Sequence, residues 1–296
     1  MRHIYDWLVK VFKSALNLVR THLENFGINL SLNTTSTGLT PKNEVIDLLY
    51  RLRPQENGHA LIRIGGIGDG GYLLPNDLSG ISELFSPGSN QLADFEKDIA
   101  NRWQIKSYIC DLIEEKPIDL GPFQDFTSSW VGPFTDGEKF ISLGDWVKEK
   151  SQSEGDLLLQ MDIEGAEFQT LIATPAETLT RFRIIVLEIH FLEALKNRWA
   201  FNMIYLPFFN KILAYFDVIH LHPNNCCGLW NYGDFQYPRI IELTLHRKDR
   251  SGDLRPRQTS INVLDSPCVD SNPEISILYR DSNDGLRIRL EPGHND

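Results

Sequence analysis

Cysteines, basic residues and long apolar runs are all scarce in this chain, and each scarcity removes a class of function. There are four cysteines, Cys110, Cys226, Cys227 and Cys268. They follow no CxxC or zinc-module spacing, and the adjacent pair Cys226 and Cys227 is poorly placed to bond to itself. A disulfide scaffold is therefore not expected, and a reducing, cytoplasmic compartment is. Lys and Arg number 29 against 40 Asp and Glu, a net charge of -11. Neutralising phosphates needs the opposite balance, so no nucleic-acid partner is expected. No apolar run reaches the roughly 20 residues that a membrane-spanning helix requires. Internal repeats and low-complexity tracts are also absent.

What remains is ordinary globular composition, 42% hydrophobic over 296 residues, enough for one sizeable core with appendages. Residues 1–42 read as an N-terminal amphipathic helix and linker. Trp7, Leu8, Val11, Phe12, Leu16, Val19, Leu23 and Phe26 recur at helical spacing, interrupted by Lys10, Lys13 and Arg20. Such a helix packs on protein, on a second copy of the chain, or on a membrane surface as a peripheral contact. Over residues 43–250 strands and helices alternate, with uninterrupted apolar strands at Asp156–Met161 and Arg183–Ile189. Strands buried on both faces, separated by helices, predict an α/β, doubly wound, mostly parallel sheet. Residues 251–296 lose the pattern and read as an irregular, partly mobile C-terminal tail.

Two glycine clusters compete for a cofactor. Gly66-Ile67-Gly68-Asp69-Gly70-Gly71 matches G-x-G-x-x-G, but it runs into Tyr72-Leu73-Leu74-Pro75 where a helix should begin. It is better read as a turn that carries Asp69 near a site. The second cluster is sparser. A strand ends at Ser86, the chain turns at Pro87-Gly88, a helix follows, and the next strand ends in Asp111. A carboxylate about 20 residues past such a turn is placed to accept hydrogen bonds from ribose hydroxyls.

Asp69-Gly70-Gly71-Tyr72, Phe85-Ser86-Pro87-Gly88 with Asp94-Phe95-Glu96, and above all Asp162-Ile163-Glu164-Gly165-Ala166-Glu167 resemble the FkbM-type methyltransferases. The resemblance spans about Arg63 to Arg247 and implies a class I, Rossmann-like, seven-stranded fold that binds S-adenosyl-L-methionine. It also implies O-methylation of a sugar, glycan or glycosylated metabolite, with Asp69, Ser86, Gly88 and Asp111 around the cofactor. Gly88 would lie at its methionine end and Asp111 at its ribose.

Ligands of open α/β sheets bind at the carboxyl ends of the strands. Asp162 and Glu164 end the fourth strand, Glu188 and His190 the fifth, and His220 and His222 the next. Alternation puts Glu188 and His190 on the same side of their strand. Asp162, His190 and His220 are the candidate catalytic residues, because an alcohol becomes a good nucleophile only as its proton leaves. A histidine base can take that proton. Alternatively, Asp162, Glu188, His190 and His220 hold Mg2+ or Mn2+, and the cation polarises the hydroxyl. Glu164, His222, Asn224, Asn225 and Trp230 are candidates for contact with the acceptor, the last on an aromatic loop with Tyr232 and Tyr237. Two further readings stay open: a metal-dependent hydrolase built on the same Asp, Glu and His residues, and a non-catalytic scaffold that keeps the cofactor fold.

Overall fold

The computed structural model describes residues 38–88, 93–112, 120–280 and 288–292. The chain divides into two units, Met1–Gly38 and Leu39–Asp296, and every strand and helix among the described residues belongs to the second. The N-terminal amphipathic helix expected over residues 5–26 lies outside the described residues.

Seven strands form the central sheet: β1 (Ile81–Pro87), β2 (Lys106–Cys110), β3 (Gln124–Thr127), β4 (Asp156–Met161), β5 (Phe182–Ile189), β6 (Phe216–Pro223) and β7 (Ile241–Arg247). Their spatial order is β3-β2-β1-β4-β5-β7-β6. Only β7 runs against the others, pairing antiparallel with both β5 and β6. This is the mostly parallel, doubly wound sheet that the strand pattern predicts. Among the described residues, no helix is long and apolar enough to cross a membrane.

Each residue of β5 is buried, as a strand covered on both faces requires. Alternation divides its side chains between two apolar clusters. Ile185, Leu187 and Ile189 join Leu157, Leu159 and Met161 of β4 on one face, against Trp146 and Phe168. Ile184 and Val186 join Leu158 and Leu84 on the other, under Tyr72, Phe95 and Ile99. Four helices supply much of this cover: α1 (Lys42–Tyr50), α2 (Asp94–Trp103), α3 (Leu143–Lys150) and α4 (Glu167–Ala173). The Ser142 side chain caps α3 by accepting from the Asp145 amide at 3.1 Å. A π-helical turn at Phe201–Tyr205 leads into α5 (Leu206–Tyr215), with Pro207 tolerated in its first turn.

The second face changes character toward the carboxyl ends of its strands. Continuing past Leu158, β4 presents Gln160 and then Asp162, and past Val186, β5 presents Glu188 and then His190. Cross-strand register extends this row, since Glu188 lies opposite Glu242 on β7 and Glu242 opposite His222 on β6. A run of polar groups thus follows directly from strand period and pairing.

The segment after residue 250, expected as an irregular tail, contains structure. Arg255–Pro256 pairs with Gln55–Glu56, and Ile275–Tyr279 forms a hairpin with Ile288–Pro292. Ile277 and Tyr279 are buried in the main core. Arg255–Pro256 and its partner are distant in sequence, so no local pattern announces that pair.

Candidate active site

Beyond Met161 the chain turns through Asp162-Ile163-Glu164-Gly165-Ala166 into α4. The turn needs left-handed backbone at two successive residues, Glu164 (φ 56) and Gly165 (φ 98). The fully buried Glu167 closes it, its Oε1 accepting from the amides of Ile163 (2.9 Å) and Gly165 (3.2 Å). The Phe191 ring covers Gly165, and a Cβ there would stand 2.4 Å from Phe191 Cε2. Phe191 is itself left-handed (φ 58). Two strained turns therefore interlock at the ends of β4 and β5, the kind of backbone that persists only where its surroundings over-determine it.

His190 sits inside this junction. Its Nε2 is 3.6 Å from Glu188 Oε1, 3.6 Å from Glu164 Oε2 and 3.8 Å from Asp162 Oδ1. Its Nδ1 is 3.5 Å from Glu167 Oε1. These are ion-pair rather than hydrogen-bond distances. Burial lowers the His190 pKa, but the carboxylates, Glu167 first, outweigh it and raise the group to about 10. The ring is therefore an imidazolium at neutral pH. Burial raises Asp162 to about 7, with His190 pulling the other way and Glu167, Glu164 and Asp69 adding to the rise. Burial also raises Glu188, and the Asp162 charge adds to it. Asp162, Glu188 and His190 offer ligand atoms within 4.8 Å of one another.

The adjoining corner is built on Gly88 and Asp111. Gly88 has φ 82 and donates its amide to the Cys110 carbonyl at 3.0 Å. A Cβ on it would lie 1.6 Å from the Asp162 carbonyl oxygen. What the glycine admits is thus the chain's own β4 backbone. Asp111 follows β2 and is half-buried, which raises its carboxyl pKa. A half-buried carboxylate at this edge of the sheet fits the ribose of a nucleoside cofactor. Ser86 is fully buried and its hydroxyl hydrogen-bonds Glu96 and Gln160, so it braces β1. The Gly66–Gly71 cluster joins the antiparallel strands Leu61–Ile64 and Tyr72–Pro75, with no helix at its end. Asp69 on this loop is exposed, and its charge is felt by Asp162 and Glu188.

Other expected members fall elsewhere. His220 does not join Asp162 and His190, because its Nε2 lies 2.8 Å from Asp265 Oδ1 and β7 separates its strand from β5. His222 faces Glu242 at 3.1 Å. Asn225 holds the backbone of Val269 and Asn272. Trp230 is 1% exposed and donates to the Pro238 carbonyl inside the hairpin Leu229–Tyr232/Phe235–Pro238, so it offers no face to a ligand. Asn224 does reach the constellation, donating to Glu188 Oε1 at 3.1 Å. The exposed groups at its mouth are Glu164, with its side chain 72% accessible, and Phe191, 40%. A cleft of about 780 Å³ between α3 and α4 includes none of these residues.

Sequence reasoning did not assign a site role to Glu167, although it stands at the end of the Asp162–Glu167 motif. Its signal was a glutamate at the first turn of a helix just after a glycine. Phe191 had no signal beyond following His190.

Residues 140–226 match the family model described as the methyltransferase FkbM domain. Over this stretch the chain is similar to the FkbM methyltransferase domain. The FkbM segment contains Asp162, Glu164, Glu188 and His190, while Gly88 and Asp111 precede it. No curated protein matches the chain. Solved structures similar to it include a Streptococcus pneumoniae protein described as a putative tRNA (m1A22) methyltransferase, in complex with S-adenosyl-L-methionine (12% identity, 61% of this chain and 71% of that one, TM-score 0.33). Another is a mutant 16S rRNA (adenine(1408)-N(1))-methyltransferase from Catenulisporales acidiphilia (11% identity, 66% and 98%, TM-score 0.28). The exclusion of nucleic acid drawn from the net charge is corrected by these structures, which are of proteins named for tRNA and rRNA.

Proposed function

We propose that the chain is an S-adenosyl-L-methionine-dependent O-methyltransferase acting on a hydroxyl of a sugar, glycan or glycosylated metabolite. The observation that carries this reading is the Asp162–Glu188–His190 constellation at the carboxyl ends of β4 and β5, in main-chain contact with the Gly88 corner. Bound S-adenosyl-L-methionine supplies an electrophilic methyl group. The chain's own task is to hold the acceptor oxygen in line with it and to remove a proton.

The electrostatics favour Asp162 over His190 as the base. An efficient base has a pKa near the working pH, and burial raises Asp162 to about 7. His190 is already protonated and cannot take the proton. Its charge instead keeps neighbouring carboxyls from repelling one another. A divalent cation would need the neutral imidazole, so the protonated ring and a metal compete for one position. With no cation bound, the protonated His190 takes the cation's place, and we assign the acceptor proton to Asp162. Phe191 and Glu164 suit a polyhydroxylated acceptor, the ring stacking on its apolar face and the carboxylate accepting from hydroxyls.

Isothermal titration of the purified chain with S-adenosyl-L-methionine tests the reading directly. Binding is expected, and Asp111→Ala should weaken it by about tenfold, roughly 1.4 kcal/mol for a lost charge-assisted hydrogen bond. No binding at millimolar cofactor would overturn the methyltransferase reading in favour of the hydrolase. Unchanged affinity in Asp111→Ala would remove Asp111 from the cofactor site.

A further inference from the structure

A second polar cluster lies one strand away from the proposed active site. His222 and Glu242 are directly opposed across the β6–β7 pair, so their side chains share a face. Cys268 reaches them from the C-terminal segment. His222 Nδ1 is 3.1 Å from Glu242 Oε2, and Cys268 Sγ is 3.0 Å from Glu242 Oε1. The three residues offer ligand atoms within 4.8 Å of one another.

Hydrogen bonding accounts for only part of this arrangement. His222 is 4% exposed, and its Nε2 is buried with no hydrogen-bond partner. Glu274 Oε2 stands 3.5 Å from that nitrogen. Each ring nitrogen thus has a carboxylate beside it. Whichever one ligates a metal, the other can give its N–H to a carboxylate, the arrangement that fixes histidine ligands in metalloproteins. One sulfur, one imidazole nitrogen and one carboxylate oxygen form a donor set suited to zinc, while magnesium and calcium prefer oxygen alone.

The cluster also sits where the fold needs a fastening. From Ser251 to Glu274 the only buried residue is Ser260, and Val263 is fully exposed. No apolar side chain anchors this stretch. It is held by polar pins, Asp265 on His220 and the Val269 and Asn272 backbone on Asn225. Segments without a core of their own are commonly held by a disulfide or a structural metal.

We propose that His222, Glu242 and Cys268 bind a zinc ion that fastens the C-terminal segment to the β6–β7 edge. Binding converts the Cys268 thiol to a thiolate and releases its proton to solvent. The site is separate from Asp162, Glu188 and His190.

The test uses the full chain, stripped with a chelator, then titrated with Zn2+ against a chromogenic indicator and, separately, with Co2+. One equivalent of zinc is expected, and cobalt should give a near-ultraviolet thiolate charge-transfer band. Cys268→Ser should abolish that band and weaken zinc by about 100-fold, and His222→Gln should weaken zinc similarly. A chain carrying Cys226→Ser and Cys227→Ser should bind as the parent does, as should Asp162→Asn. Limited proteolysis between residues 251 and 274 should be slower with zinc bound. The proposal is overturned if the parent shows no thiolate–cobalt band. It is equally overturned if the band survives Cys268→Ser, or disappears with Cys226 and Cys227 instead.

Discussion

Asp162→Asn is expected to lower kcat for methyl transfer by about 10²–10⁴-fold, the range that a positioned proton acceptor supplies, while S-adenosyl-L-methionine still binds. The substitution keeps the shape of the side chain and removes its capacity to take a proton. The pH dependence gives an independent reading. As the proposed base, Asp162 would have to be ionised to act, and burial raises it to about 7. Activity of the parent should therefore fall as the pH drops through about 7 and level off above it. His190→Gln should move that midpoint to higher pH, because the imidazolium is the charge that pulls the Asp162 pKa down. A merely structural His190 would change the rate without moving the midpoint. Full activity in Asp162→Asn would remove the residue from the chemistry. Activity lost on chelation and recovered with Mg2+ or Mn2+ would give its role to a cation held by Asp162, Glu188 and His190.

Gly88→Ala should be strongly damaging, because among the glycines whose surroundings are described its added Cβ makes the closest approach. The added Cβ would sit 1.6 Å from the Asp162 carbonyl oxygen, a backbone atom that cannot swing aside. It would also be forced into left-handed backbone at φ 82. The conformational term costs about 1–2 kcal/mol, and forcing atoms into a filled space adds about 1–3 kcal/mol. A loss of about 4 kcal/mol is a large share of the stability of a typical domain. Urea denaturation should show it as a lower midpoint, and cofactor binding should weaken with it. A midpoint within experimental error of the parent would mean that the ends of β1 and β4 are not locked together.

The parts of this fold legible in the sequence are those fixed by local period. β4 and β5 announce themselves as apolar runs, because both of their faces are covered. Strand alternation also placed Glu188 and His190 on one face, and the motif around Asp162 brought the neighbouring strand end. The same alternation misled for His220. β7 is inserted between β5 and β6, so His220 lies two strand spacings, roughly 10 Å, from the row it was expected to join. Trp230 reads as a loop aromatic, yet a tight hairpin folds it inward. The C-terminal segment was illegible for a different reason. Asp265 and Cys268 meet His220 and Glu242 through single polar contacts across long stretches of chain. Contacts of that kind leave no periodic trace. Nor does spacing within the sequence reveal cysteines whose partners come from other strands.

The contact between Gly88 and the Asp162 carbonyl has a mechanical meaning. On the proposed reading, Gly88 at the donor corner and Asp162 facing the acceptor would be joined back to back through main chain, with no side chain between them to absorb motion. A shift of the β1 terminus on loading such a donor would then carry the Asp162 backbone with it. The proposed acceptor pocket would thus be tensioned by the donor, and changes of acceptor preference are best sought at Glu164 and Phe191, which lie outside the Gly88–Asp162 contact.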